Sequence, residues 1–229
     1  MAAAQSIQAV HAIPTDVRPA SGVRPCPQAG QFFGTGLGAS MQFPRNAEIF
    51  GEGEEAEFVY QVVRGVVRTS TILSDGRRQI CSFYLPGDVF GLEAGMMHEA
   101  SAEAVGATSV MVVRRSTLFE AASRDPALAE KLWSATAREL QNARKHLLLL
   151  VRSAQERVAS FLLEMAHRTH VSDTIELPMS RQDIADYLGL TIETVSRTLS
   201  NLETRSAIAL PSARRVVLRN PKTLRALNS

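Results

Sequence analysis

Residues 127–177 contain neither glycine nor proline, and Pro126 and Pro178 flank them. A stretch without either helix breaker favours long helices. Asp125-Pro126 supplies a start signal, with Asp as N-cap and Pro at the first helical position. Downstream, Trp133, Thr136, Leu140, Ala143, Leu147, Leu150 and Ala154 alternate spacings of three and four, a seam of about three heptads. A helix rises about 1.5 Å per residue, so one longer than about 25 residues overhangs a small domain. The spacing therefore predicts a helix–helix homodimer, with Trp133, Thr136, Leu140, Ala143, Leu147 and Leu150 at the interface. The competing reading is a helix simply packed on the preceding domain. The seam breaks at Arg152–Gln155, which marks a hinge.

The segment before this helix reads as β from Ala47 to about Thr117. Phe58–Val63 is a short apolar run ending at Arg64-Gly65, and Val66–Leu73 follows. Ser74-Asp75-Gly76 then closes a hairpin whose return strand is Gln79–Leu85, ended by Pro86-Gly87-Asp88. Ser109–Val113 is a further strand. Short strands separated by turn glycines at spacings of roughly 10 residues imply a sandwich or barrel. Residues 1–30, rich in Ala, Pro, Gln and Ser, read as a mobile tail. Gly34, Gly36 and Gly38 are too loosely placed for a phosphate loop.

No run approaches the roughly 20 apolar residues of a membrane helix, and the N-terminus carries no signal-peptide pattern. No membrane partner and a cytoplasmic location are expected. Cys26 and Cys81 are too few for a disulfide framework or a four-cysteine cluster. The net charge of +2 hides an asymmetry: residues 1–151 carry 14 basic and 15 acidic side chains, residues 152–229 carry 11 and 8. After Glu203 there is no acid, but Arg205, Arg214, Arg215, Arg219, Lys222 and Arg225 follow. A basic end suits a polyanionic partner.

The sharpest local pattern runs from Ser180 to Leu199. Ser180 and Asp183 form a capping-box-like start, and Ile184, Ala185 and Leu188 form the inner face of a short helix. Gly189 sits where a tight turn needs positive φ. Thr191 caps a second helix with Val195, Leu199 and Leu202 inward. This is a helix-turn-helix, whose second helix enters the DNA major groove. Ile192, Glu193, Ser196 and Arg197 lie outside the packing face and are the candidate base readers. Arginine donates twice to guanine and glutamate accepts from cytosine. The competing reading of Glu193 and Arg197 is a surface pair four residues apart. Ile208–Leu210 and Arg214–Leu218 flank Pro211-Ser212-Ala213 as a wing. Arg214 and Arg215, with Ser180, Arg181, Thr191 and Thr194 at the two helix starts, are expected at phosphates.

The order β-roll, long helix, winged helix-turn-helix, together with Leu85-Pro86-Gly87-Asp88-Val89-Phe90-Gly91 and Glu193-Thr194-Val195-Ser196-Arg197, resembles the Crp/Fnr family of bacterial transcription regulators over roughly residues 31–229. The resemblance implies an α+β chain divided into a tail (1–30), a cyclic-nucleotide-binding-like jelly roll (31–125), a dimerisation helix (126–152) and a winged DNA-binding domain (153–229). It also implies a homodimer on palindromic double-stranded DNA that recruits RNA polymerase as an activator, with no catalytic residues. Cyclic-AMP binders of the family hold the phosphate with an Arg-Ser pair; here Ala100 precedes Ser101. Fnr-type sensors hold an iron–sulfur cluster through a cysteine group that this chain lacks. Neither cofactor nor metal is therefore expected, and the chain resembles the FixK branch, which governs micro-oxic respiration and nitrogen fixation. Two alternatives are a haem- or small-ligand-gated relative, with His98, His146, His167 and His170 as candidate axial ligands, and a cupin-like metalloenzyme built on the roll.

Overall fold

The computed structural model describes residues 32–33, 37–170 and 173–227. The tail expected over residues 1–30, including Cys26, lies outside the described residues. Among the described residues the first half holds eight strands: β1 (Ala39–Phe43), β2 (Glu48–Phe50), β3 (Phe58–Arg64), β4 (Val67–Ile72), β5 (Arg78–Tyr84), β6 (Val89–Phe90), β7 (Ser101–Ala104) and β8 (Thr108–Arg114). They form two four-stranded antiparallel sheets, ordered β1-β8-β3-β6 and β2-β7-β4-β5. The Asp75-Gly76 hairpin joins β4 to β5, with Gly76 at φ 82° and the Asp75 carboxylate accepting from the Arg77 N–H at 3.0 Å.

Between the sheets lie Phe50, Tyr60, Val62, Val67, Tyr84, Phe90, Ala102 and Val110. Aromatic rings fill this space: Tyr60 and Phe90 stack at 5.0 Å, Tyr84 meets Phe90 at 5.2 Å, and the buried His98 ring stacks on Phe50 at 3.5 Å. Both sheets are buried on their outer faces as well. Val59 and Val113 of the first sheet pack against α1 (Arg115–Arg124) and α2 (Pro126–Leu150) through Leu118, Leu128 and Ala135. Ile80 and Phe83 of the second sheet belong to the core of the C-terminal half. Two-sided burial explains why β3 reads as a continuous apolar run rather than an alternation.

The long helix starts as its sequence dictates: the Asp125 side chain accepts from the Ala127 N–H and Pro126 occupies the first position. At 25 residues it spans about 37 Å. Two stripes run along it. Leu128, Leu132, Ala135, Glu139, Asn142, His146 and Leu149, spaced alternately four and three, are buried or half-buried against their own chain. Trp133, Thr136, Leu140, Ala143 and Leu147 form a second, exposed stripe. The inward stripe matches the reading of a helix packed on the preceding domain, and, Leu150 apart, the residues expected at a dimer interface lie on the other, exposed side. Leu150 departs from its expected place: it is half-buried beside Gly189, because the last turn of α2 meets the C-terminal half.

The C-terminal half comprises α3 (Ala154–Arg168), β9 (Thr174–Glu176), α4 (Arg181–Leu188), α5 (Ile192–Thr204), β10 (Ile208–Ser212), β11 (Arg215–Leu218) and α6 (Pro221–Ala226). Its three strands form a sheet ordered β10-β11-β9. Ser153 caps α3 with Glu156 in a reciprocal capping box. Val158, Phe161, Leu162 and Met165 form its buried face. The structure corrects the β reading of residues 115–117, which begin α1. That helix buries only Leu118 and has no side-chain N-cap, so neither periodicity nor a start signal betrays it.

Gly65 turns the chain from β3 into β4 at φ +86°. A Cβ there would lie 2.5 Å from Thr108 Oγ1 and 2.7 Å from the Ala107 carbonyl oxygen. Gly65→Ala is expected to cost at least about 1–2 kcal/mol, since the left-handed conformation alone costs that much. Urea unfolding checks this: the midpoint should fall with an unchanged m-value.

Candidate nucleic-acid interface

The helix-turn-helix is built by local rules. Ser180 Oγ accepts from the Asp183 N–H at 3.0 Å, and Asp183 Oδ2 accepts from the Ser180 N–H at 3.0 Å and from its hydroxyl at 2.8 Å. The box satisfies orphan donors at the start of α4. Gly189 ends the helix in the left-handed region, φ 62° and ψ 40°, with its N–H on the Ala185 carbonyl. The Leu190 N–H bonds the same carbonyl at 3.0 Å. Thr191 Oγ1 then accepts from the Thr194 N–H at 3.2 Å and caps α5.

Val195, Leu199 and Leu202 are buried, which fixes the rotation of α5. The same rotation leaves Ile192, Glu193, Ser196 and Arg197 exposed on the first turns of the helix. Glu193 is held below the usual carboxylate range by its own backbone N–H, then by the Thr191 hydroxyl, with a smaller pull from Arg197. Arg214 and Arg215 are exposed where β10 turns into β11, and the Arg214 carbonyl accepts from the Leu177 N–H at 2.7 Å. In the ladder Arg215 lies opposite Glu176, an acidic neighbour that sequence reading did not anticipate.

At the helix starts the expected phosphate residues have distinct environments. The hydroxyls of Ser180 and Thr191 serve caps, and Thr194 Oγ1 lies 3.0 Å from Thr191 Oγ1. Arg181 is half-buried, and its Nη1 has no hydrogen-bond partner. Burial lowers its pKa.

The candidate haem ligands are dispersed. His98 Nδ1 lies 3.0 Å from Glu93 Oε1, and His146 Nε2 lies 2.7 Å from the Tyr187 carbonyl oxygen with its ring stacked on Tyr187. His167 sits in the last turn of α3, and His170 follows it at φ 53°. No group of three or more His, Cys, Asp or Glu suited to a metal occurs among the described residues.

One part of the site was invisible in the sequence. The outer face of sheet β2-β7-β4-β5 holds α4. Arg68 on β4 donates from Nη1 to Asp183 Oδ1 at 2.9 Å, and Arg78 on β5 donates from Nη2 to the same oxygen at 2.8 Å. Phe83 packs on Tyr187 at 5.2 Å. An arginine inside a strand carries no signal naming its partner more than 100 positions away.

Residues 40–125 match the cyclic nucleotide-binding domain model, and residues 156–227 match the Crp-like helix-turn-helix domain model. The chain is 55% identical over 200 residues to the nitrogen fixation regulation protein FixK of Azorhizobium caulinodans, covering 84% of this chain and 80% of the relative. The chain belongs to the Crp/Fnr family. Within it the chain is a FixK-like transcription regulator with a helix-turn-helix DNA-binding domain, and not an enzyme. It is also 41% identical to the transcriptional activatory protein AadR of Rhodopseudomonas palustris, over 83% of this chain and 82% of that protein. The solved structure of FixK2 from Bradyrhizobium japonicum superposes with a TM-score of 0.80 at 54% identity, covering 84% of this chain and 98% of the other. No described helix is long and apolar enough to cross a membrane.

The Asp183 carboxyl gives this interface an acid dependence. Burial alone would push it up, but the Ser180 N–H and hydroxyl, then the Arg68 and Arg78 charges, outweigh that and hold it low. Glu103, which accepts from Arg68 at 2.9 Å, and Asp186, which accepts from Arg78 at 2.8 Å, face the same cluster. A depressed folded pKa stabilises above the unfolded value of about 3.9 and is lost as pH falls through the folded value. Chemical unfolding between about pH 5 and pH 2 should therefore show a steeper stability loss in wild type than in Asp183→Asn. Parallel curves would disprove the contribution.

Proposed function

We propose that this regulator binds palindromic double-stranded DNA as a homodimer and reads each half-site with Ile192, Glu193, Ser196 and Arg197. The observation that carries the reading is the rotation of α5. Burial of Val195, Leu199 and Leu202 turns those four side chains outward on the turns that meet base edges. Arg197 takes a guanine, Glu193 accepts from amino groups on the opposite edge, and Ser196 meets a thymine. Ser180, Arg181, Thr191, Thr194, Arg214 and Arg215 set the register on phosphates.

The exposed stripe of α2 supports the homodimer. Trp133 is 77% exposed, Leu147 68% and Val151 81%, next to Leu140 and Leu148. A heptad stripe of this kind is buried in a coiled coil. Two reading helices related by its axis meet major grooves about one turn apart, roughly 34 Å.

The FixK resemblance makes the half-site TTGA, in a TTGA/TCAA inverted repeat with a spacer of about six to eight base pairs. The names of the FixK relatives place nitrogen-fixation control among their roles. We extend that role to this chain, with micro-oxic respiration genes and RNA polymerase recruitment as an activator. The reading includes activity without cyclic nucleotide. Ala100 replaces the phosphate-binding arginine, and aromatic rings fill the space between the two sheets.

Selection from random DNA should enrich the inverted repeat, and enriched sites without it would sink the assignment. Arg197→Ala should cost about 1–3 kcal/mol per half-site and erase discrimination at the guanine. Arg214→Ala should weaken all sequences alike and flatten the salt dependence.

Leu140→Lys or Leu147→Lys places a charge in the exposed stripe of α2. Sedimentation should show both variants shifted toward monomer, and an unchanged dimer in both would refute the interface.

A further inference from the structure

The geometry points to Arg68 and Arg78 of the β-roll as positioning residues for DNA reading: they index the helix-turn-helix on the roll through Asp183 and Asp186. This rests on the DNA reading proposed above and adds what fixes the reading helix in space.

The junction is a directed network. Asp183 uses one carboxylate oxygen for its own helix cap and the other for the roll. Oδ2 serves Ser180, while Oδ1 accepts from both Arg68 and Arg78. Side-chain exposure is 8% for Arg68 and 5% for Asp183, so this pair is out of water. Each arginine is aimed by a second acid. Glu103, opposite Arg68 in the β4–β7 ladder, accepts from its Nε at 2.9 Å. Asp186, one helical turn beyond Asp183, accepts from Arg78 Nε at 2.8 Å.

A β-bulge makes the seat possible. In the β4–β5 ladder Thr69 pairs with Ser82 and Ser70 with Ile80, leaving Cys81 as the extra residue. The extra residue shifts the alternation of β5. Phe83, Ile80 and Arg78 consequently all face the helix-turn-helix, whereas strict alternation would turn Ile80 and Arg78 away from Phe83's side.

Charge suits indexing better than binding. Apolar contact tolerates sliding, whereas a shift of α4 by one position strands buried charges without partners, a cost far above the modest net gain of the correct pairing. The ion pairs therefore set register, and Phe83, Tyr187 and Phe161 supply cohesion. In a dimer the register of each reading head on its roll fixes the distance between the two heads.

The test uses the full-length dimer with three duplexes: the palindrome, the palindrome with one half-site scrambled, and palindromes with the spacer changed by one base pair. Arg68→Met and Arg78→Met should lose affinity for the palindrome on the order of tenfold, as expected for uncoupling two sites. They should keep wild-type affinity for the single half-site and accept altered spacers more readily. Arg78→Lys, which keeps the charge, should recover part of the loss. Equal loss on palindrome and half-site, or an unchanged spacer preference in every variant, overturns the proposal. Asp186→Asn, on a less buried partner, provides the same readout if Arg68→Met fails to fold. X-ray scattering without DNA gives a separate arm: the variants should expand, and an unchanged profile overturns the indexing role. Wild-type protein that ignores the palindrome overturns the DNA reading instead, and the scattering arm tells the two failures apart.

Discussion

The architecture depends on a β-roll whose two sheets are each buried on both faces. A free-standing sandwich hides one face per sheet and leaves the other polar. Here Val59 and Val113 give the first sheet an apolar back that needs α1 and α2. Val66, Ile80, Phe83, Leu85 and Val105 give the second a back that needs the C-terminal half. The helix-turn-helix is therefore part of the roll's own core arrangement, sharing one buried cluster with its second sheet. Burial at this junction also dries the ion pairs between Arg68 and Asp183, which makes their geometry demanding.

The long helix serves the same constraint from the other side. Its inward stripe changes character along its length. Leu128 and Ala135 pack on the roll, Glu139 accepts a 2.7 Å hydrogen bond from the Tyr84 hydroxyl, His146 stacks on Tyr187, and Leu149 joins the C-terminal core. One rigid rod thus touches the roll, then the first helix of the reading unit. Burial pushes the Glu139 carboxyl up, while the Tyr84 hydroxyl pulls it back. Arg168 of α3 adds a tie to Asp88 and to the Phe83 carbonyl oxygen. The outward stripe, left apolar, is what the proposed dimer covers.

Features set by neighbours in sequence were legible; features set by distant packing were not. The capping box of Ser180 and Asp183, the left-handed Gly189, the Thr191 cap and the inward set of α5 all follow from residues within one or two turns. The Asp75-Gly76 hairpin and the Asp125-Pro126 start are of the same kind. Strands β1, β2, β6 and β7 escaped notice because none exceeds five residues: β1 is exposed, β2 and β6 are three and two residues long, and β7 carries the small Ala102 and Ala104, so their pairing comes from the sheet. Helix α6 is a six-residue piece whose buried residue is Leu224, too short to show a period. The heptad pattern of α2 was real but incomplete. One seam was visible in Trp133, Leu140 and Leu147, while the second runs through Glu139, Asn142 and His146, polar residues that periodicity of apolar residues cannot reveal. The same limit hid the roll contact: Asp183 reads as a cap, and its second oxygen is committed only in three dimensions.

Charge is distributed in a way that favours discrimination over adhesion. The chain carries a net charge of only +2, and even residues 152–229 offset 11 basic side chains with 8 acidic ones. Phosphate attraction raises affinity for every sequence equally and falls with salt, so a more basic surface would bind the genome at large. The proposed base readers instead include an anion, Glu193, whose own backbone N–H and the Thr191 hydroxyl hold its carboxyl below the usual range. On generic DNA that carboxylate faces phosphate and base acceptors and opposes binding. On a site presenting amino groups at that position it becomes an acceptor for a charge-assisted bond. The penalty and the reward fall on different sequences, so one side chain widens the specificity ratio from both ends. Such discrimination requires Glu193 to arrive at a fixed height in the groove, which ties the proposed reading of bases back to the seating of α4 on the roll.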